Sequence, residues 1–237
     1  MKRLLSLLLT VFMLGSLVSC NTTEKESTAT ETRIDHMATS CSKDSVDELM
    51  AIIGETELDG LSYGMKLDEE YCYNVTPASV ATQTDIKIFK FSDSCISLAL
   101  IDGKVYQICE SFGGYGFVNA VPWDYDEDGN IDLLIASSWG SGLHRSQISV
   151  FNTTTKESII VYDTSDTDDP SVDLIVGTSS YSSPPTDTIN SPIYYEICTV
   201  NITINDSNFA DLSYTLTGVV GSIVIENGTP VFKPMQK

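Results

Sequence analysis

Residues 124–132 read Asp-Tyr-Asp-Glu-Asp-Gly-Asn-Ile-Asp. Asp124, Asp126, Asp128 and Asp132 fall at positions 1, 3, 5 and 9 of a loop, and Gly129 stands at position 6, where such a loop turns sharply. Oxygen ligands at this spacing wrap a hard cation such as Ca2+. Without one, like charges crowd within a few ångströms and repel. No Lys or Arg occurs between Lys104 and Arg145, so no base nearby in sequence can offset them. The loop is not an EF-hand, because position 12, which needs a bidentate Glu, is Ile135. The flanking segments also read as extended rather than helical.

On both sides the pattern is strands and turns. Asp85 to Phe91 alternates polar and apolar, as a strand with one wet face should. Ile96 to Ile101 and Lys104 to Cys109 flank Asp102-Gly103, a two-residue hairpin signal. Phe117 to Val121 precedes the acidic loop, and Ile131 to Ala136 is a continuous apolar run that suits a buried strand. Further strands are expected at 147–151, 158–162, 174–177, 193–204, 212–216 and 223–225, with Asn227-Gly228 as another turn. One short helix is expected near the start. Ser45 and Glu48 fit a capping box, Val46, Leu49, Met50 and Ile53 repeat at helical spacing, and Gly54 can end it. Residues 178–192, rich in Ser, Thr and Pro, read as a surface loop. The fold class expected is all-β and antiparallel, propeller-like with a short N-terminal helix, the alternative being a β-sandwich.

A period near 40 residues supports the propeller. Asp132 to Ser138 resembles Asp173 to Ser179, 41 positions later, and Asp211-Leu-Ser-Tyr-Thr-Leu follows Asp173 by 38. One four-stranded blade has this length.

The N-terminus is a second strong signal. Lys2 and Arg3 precede an apolar run, Leu4 to Val18, too short and wrongly flanked to span a membrane. It ends in Leu17-Val18-Ser19-Cys20, which resembles the lipobox of bacterial lipoprotein signals. That resemblance implies cleavage before Cys20 and its acylation by chains such as palmitate, holding the protein on a membrane by lipid anchor only. The expected organisation is a signal peptide at 1–19, an acylated Cys with a flexible tether at 20–45, and a single all-β domain at 46–237. The tether is rich in Thr, Ser and Glu and too poor in apolar residues to order itself. The expected location is the bacterial cell envelope, on the extracytoplasmic side of a membrane.

The Phe112-Gly113 pair, the acidic loop, and the strand Leu133-Leu134-Ile135-Ala136-Ser137 together resemble the FG-GAP or VCBS repeat of integrin-type propellers. The likeness covers about residues 111–152. It implies side-chain ligation of Ca2+ by Asp124, Asp126, Asp128 and Asp132 and backbone-carbonyl ligation by Asn130. A second candidate loop, Asp163 to Asp173, departs from the pattern, since Pro170 replaces the turn glycine and the spacing is stretched.

Composition narrows function. With 13 Lys and Arg against 33 Asp and Glu, net charge is −20, or −22 without Lys2 and Arg3. That excludes nucleic acid as a natural partner and disfavours anionic lipid surfaces. Cys41, Cys72, Cys95, Cys109 and Cys198 remain after Cys20. Export permits disulfides, an odd count leaves a thiol unpaired, and Cys95 with Cys109 could meet across a hairpin. No catalytic constellation stands out. Ser141 lacks a nucleophile elbow, His144 reads as a loop residue, and Gly113-Gly114-Tyr115-Gly116 lacks the helix and Lys of a phosphate loop. Trp123, Tyr125, Trp139, Tyr115 and Phe117 lie close to the loop in sequence and could form a platform for sugars or peptides. The function expected is binding or adhesion to an extracellular protein or polysaccharide. The competing readings are an exported glycan hydrolase and a ligand-capturing component of an uptake system.

Overall fold

A computed structural model describes residues 41–55, 67–110, 112–180 and 193–235. Cys20, the signal segment and most of the tether lie outside them. Three four-stranded antiparallel sheets account for nearly all the regular structure, each an open meander of consecutive strands. The first contains β1 (Cys72–Asn74), β2 (Lys87–Phe91), β3 (Ser97–Ile101) and β4 (Lys104–Gln107). The second contains β5 (Gly116–Trp123), β6 (Asp132–Trp139), β7 (Arg145–Phe151) and β8 (Ser158–Asp163). The third contains β9 (Asp173–Ser180), β10 (Ile193–Ile204), β11 (Leu212–Glu226) and β12 (Thr229–Pro234). Two short helices, α1 (Val46–Glu55) and α2 (Ala78–Gln83), accompany the first sheet. The all-β expectation therefore holds.

The layers follow from which faces are apolar. Val46 and Leu49 of α1 pack with Phe89, Phe91, Leu98 and Leu100 on one face of the first sheet. Ile88, Ala99 and Ile101 on its other face meet Ala120, Leu133, Ile135 and Phe151 of the second sheet. Val118, Leu134, Ala136, Ile148 and Val150 on the far face of the second sheet meet Leu174, Ile175, Val176, Ile197 and Val200 of the third. The second sheet is thus covered on both sides. That explains the unbroken apolar run in β6, where alternate residues enter different cores.

The same layering corrects the reading of β2. It was expected to keep one face wet, but α1 covers Phe89 and Phe91 while the second sheet covers Ile88, and all but Lys87 are buried. Both hairpin signals are realised. Asp102-Gly103 turns with φ of +52° and +71° between β3 and β4, and Asn227-Gly228 with +52° and +77° between β11 and β12. Positive φ at both central residues matches the strand twist. The helix forms over the expected residues, but Ser45 has φ +60°, outside the extended region of a capping serine. Glu48 pairs with Lys87 of β2.

Segments 212–216 and 223–225 belong to one strand, β11, bent against β10 by two register shifts. The three repeat-like segments do not occupy equivalent places: they form the second strand of one sheet (β6) and the first (β9) and third (β11) of the next. Residues 41–45, assigned to the tether, are docked. Ser42 and Asn74 exchange two backbone hydrogen bonds, and the Lys43 ammonium donates to the carbonyls of Glu69, Glu70 and Cys72.

The sheets are stitched at the start of β5. A register shift between Phe117 and Asn119 marks a bulge against β6. Lys90 Nζ donates to the Phe117 carbonyl (3.0 Å), and Tyr214 of the third sheet donates to the Val118 carbonyl (2.5 Å). The Asn119 amide, fully buried, donates to Val176 O and accepts from Val176 N along β9. All five described cysteines are thiols. Burial pushes those of Cys72, Cys109 and Cys198 up to about 12.

Candidate metal centre

The acidic loop joins β5 to β6 at one end of the middle sheet. Trp123 pairs with Asp132 in register, so the strands deliver the loop's two ends side by side. Gly129 takes φ +86°, a conformation side chains resist, and its N–H donates to Asp124 Oδ2 (3.1 Å). Asp128 N donates to Asp126 Oδ1 (3.3 Å) and Asn130 N to Asp128 Oδ1 (2.7 Å). These bonds fold the backbone around the carboxylates rather than away from them. Asp124, Asp126 and Asp128 each bring an oxygen within 4.8 Å of the others, and they are the cluster among the described residues that could hold a metal ion. Asp126 and Asp128 are exposed, so the cluster opens to solvent. Asp132 lies outside that trio, fully buried at the start of β6.

Two oxygens in this loop are left over. Asp124 Oδ1 and Asp132 Oδ2 are buried without a hydrogen-bond partner. A buried unpartnered carboxylate oxygen is costly, and a cation is one group that would satisfy it. Burial pushes the Asp132 carboxyl above its ordinary value, and the charges of Asp126 and Asp128 add to this, against the hydrogen bonds from Thr153. The Asp128 carboxyl is held below its ordinary value by hydrogen bonds from Asn130 and Thr154. Among the described residues, the ion pairs formed by Lys87, His144, Lys156 and Lys233 all go to other acids. The donor set is all oxygen, which suits a hard divalent ion.

Asn130 stands inside the loop, its amide donating to Thr154 Oγ1 (3.2 Å). Sequence reasoning missed the other side of the site. The turn after β7 brings Asn152, Thr153 and Thr154 against the loop, bonded to Asp126, Asp132 and Asp128 respectively. Among the described residues, the degenerate loop at 163–173 gathers no such group. Asp163 caps a turn through Ser165 N (2.7 Å) and Asp173 meets His144 Nε2 (2.8 Å).

The aromatic cluster divides. Trp123 stacks on Tyr195 (4.5 Å) and meets Tyr125 edge-on (5.9 Å) beside the loop. Tyr115 and Trp139 lie at the other end of β5 and β6, against His144 and Arg145, and Phe117 is buried in the core. Phe112-Gly113 also sits at that far end. Gly140 N donates to Phe112 O (2.6 Å), and a Cβ on Gly113 would lie 2.4 Å from Gly140 O, so only glycine fits.

No family model, curated protein or solved structure matches the chain.

Proposed function

We propose that the protein is a bacterial cell-envelope lipoprotein, anchored through acylated Cys20, whose β domain is stabilised by one Ca2+ in the 124–132 loop and serves binding or adhesion to an extracellular protein or polysaccharide. The observation that carries the metal reading is the pair of buried, unpartnered oxygens in this loop, Asp124 Oδ1 within the trio of carboxylates gathered within 4.8 Å and Asp132 Oδ2 outside it. Asp124, Asp126, Asp128 and Asp132 supply side-chain oxygens, and the Asn130 carbonyl supplies another. Bound Ca2+ offsets the repulsion and pins the β5–β6 connection, so binding free energy becomes folding free energy. Three successive four-stranded meanders stacked face to face support the propeller-like arrangement. The lipid anchor rests on the Lys2-Arg3 start, the apolar run and Ser19-Cys20.

Thermal unfolding in Ca2+ and in EGTA tests this. Calcium raises the melting temperature, and Asp128→Ala removes most of the rise. A melting curve indifferent to chelator defeats the metal reading.

A further inference from the structure

The turn between β7 and β8 lies against the acidic loop although it stands more than twenty residues downstream. It is built on Asn152, whose Oδ1 accepts from Thr154 N (2.9 Å) and Thr155 N (2.7 Å). That leaves the Asn152 amide free to donate to Asp126 Oδ2 (3.0 Å) and Tyr125 Oη (3.2 Å). Thr153 N donates to Asp132 Oδ1 (2.7 Å), and its hydroxyl lies 2.8 Å from the Ile131 carbonyl. Thr154 Oγ1 donates to Asp128 Oδ2 (2.8 Å) and accepts from Asn130 Nδ2 (3.2 Å). Each of Asp126, Asp128 and Asp132 therefore has one oxygen held by this turn. The held oxygen of Asp132 is not the one left unpartnered: Oδ1 is bound and Oδ2 remains.

We propose that the Asn152–Thr154 turn is the positioning half of the cation site and that Thr154 is an affinity-setting residue; this rests on the calcium reading above. Four carboxylates repel one another, so a metal-free loop left to itself would splay. Donors fixed on a neighbouring turn hold the carboxylates together, so binding requires less rearrangement. At Asp132 they also fix which oxygen is available, since Oδ1 is held and Oδ2 is left. Loss of such outer partners typically weakens metal affinity about 10–100-fold. Thr154 is exposed, so its hydroxyl can be removed without opening the core.

The test is calorimetric titration of the full chain with calcium chloride, paired with melting in EGTA. Thr154→Val removes the hydroxyl at nearly constant shape. It should weaken calcium binding about 10-fold and leave the melting temperature in EGTA unchanged. Thr154→Ser keeps the hydroxyl and should restore the affinity. Wild-type affinity in Thr154→Val overturns the proposal, as does weak binding by Thr154→Ser. A melting temperature in EGTA lowered as far as that in calcium overturns it too, by showing that Thr154 only stabilises the turn. If the wild type takes up no calcium, the metal reading itself fails, and that outcome is distinct from a wild type that binds while Thr154→Val binds equally well.

Discussion

Among the described residues, the acidic loop and Lys90 both hold charge that no salt bridge offsets, in opposite surroundings. At one end of the middle sheet, Asp124, Asp126 and Asp128 are gathered at a surface open to solvent. Between the first and second sheets, Lys90 is 1% exposed, and its ammonium donates to the Phe117 carbonyl. The cluster can be relieved by a cation arriving from solvent. Lys90 is out of reach of a solvent anion and can be relieved only by losing its proton. Burial pulls the Lys90 pKa down to about 8, against smaller opposing effects of Cys95, Cys109 and Cys41. The same problem is solved by ligand binding where water reaches and by titration where it does not.

The largest effects are expected at Lys90. Lys90→Ala removes a stem of methionine size from between two sheets and should cost about 2–5 kcal/mol in denaturant melts. Lys90→Met keeps the stem and drops the charge, so at pH 7 it should match or exceed the wild type. The sign of the pH dependence follows from the depressed pKa. Between about 8 in the folded state and 10.5 in the unfolded state, the unfolded chain binds more protons, so Lys90 costs most at low pH and its cost fades as pH rises. Cys72, Cys109 and Cys198, raised from 9.0 to about 12, act oppositely in both variants and lower stability as pH rises through that range. The difference between wild type and Lys90→Met therefore cancels Cys72 and Cys198 and leaves the lysine together with the cysteines that feel its charge. The wild type should gain on the variant by about 2 kcal/mol between pH 8 and 10. A difference flat in pH would mean that Lys90 is neither desolvated nor titrating.

Lys90 also shows where sequence reading reaches its limit. Within Asp85 to Phe91 it shares a side of the strand with Ile86 and Ile88, in a segment expected to keep one face wet. What buries that side is the second sheet, more than 25 residues downstream, which no local pattern reveals. The hairpin turns at Asp102-Gly103 and Asn227-Gly228 were legible because two residues carry the whole signal. β1 and β12 were missed because each is a short edge strand with little alternation. The acidic loop was legible for the same reason as the turns, since its spacing is local. The Asn152–Thr154 turn was not, because a plain Asn-Thr-Thr sequence gains meaning only from the loop beside it.

Asp132 sharpens the contrast from the other side. Its raised pKa means that the folded state favours the protonated form, so in the metal-free protein its ionisation costs stability as pH rises through the folded pKa. Asp132→Asn keeps an oxygen for Thr153 and removes the charge. In EGTA at pH 7 it should melt at or above the wild type, yet lose the response to calcium. For affinities of about 10⁻³ to 10⁻⁴ M, that response is about 1.4–2.7 kcal/mol at 10 mM calcium. A variant that melts lower in EGTA and keeps its calcium response would place Asp132 among purely structural residues.

The smallest effect is expected where the chain supplies both partners itself. His144 Nε2 lies 2.8 Å from Asp173 Oδ1, joining the β6–β7 turn to the start of β9, with the two side chains 30% and 15% exposed. Burial raises the Asp173 carboxyl, while the hydrogen bond and charge of His144 pull against it. Such a pair gains its attraction partly in water and orders two side chains to keep it. A double-mutant cycle with His144→Asn and Asp173→Asn should therefore give a coupling below about 1 kcal/mol at pH 7. A coupling of several kcal/mol would mean that the pair behaves as a dry one, and that partnering within the chain, rather than access to solvent, decides what a charge costs in this fold.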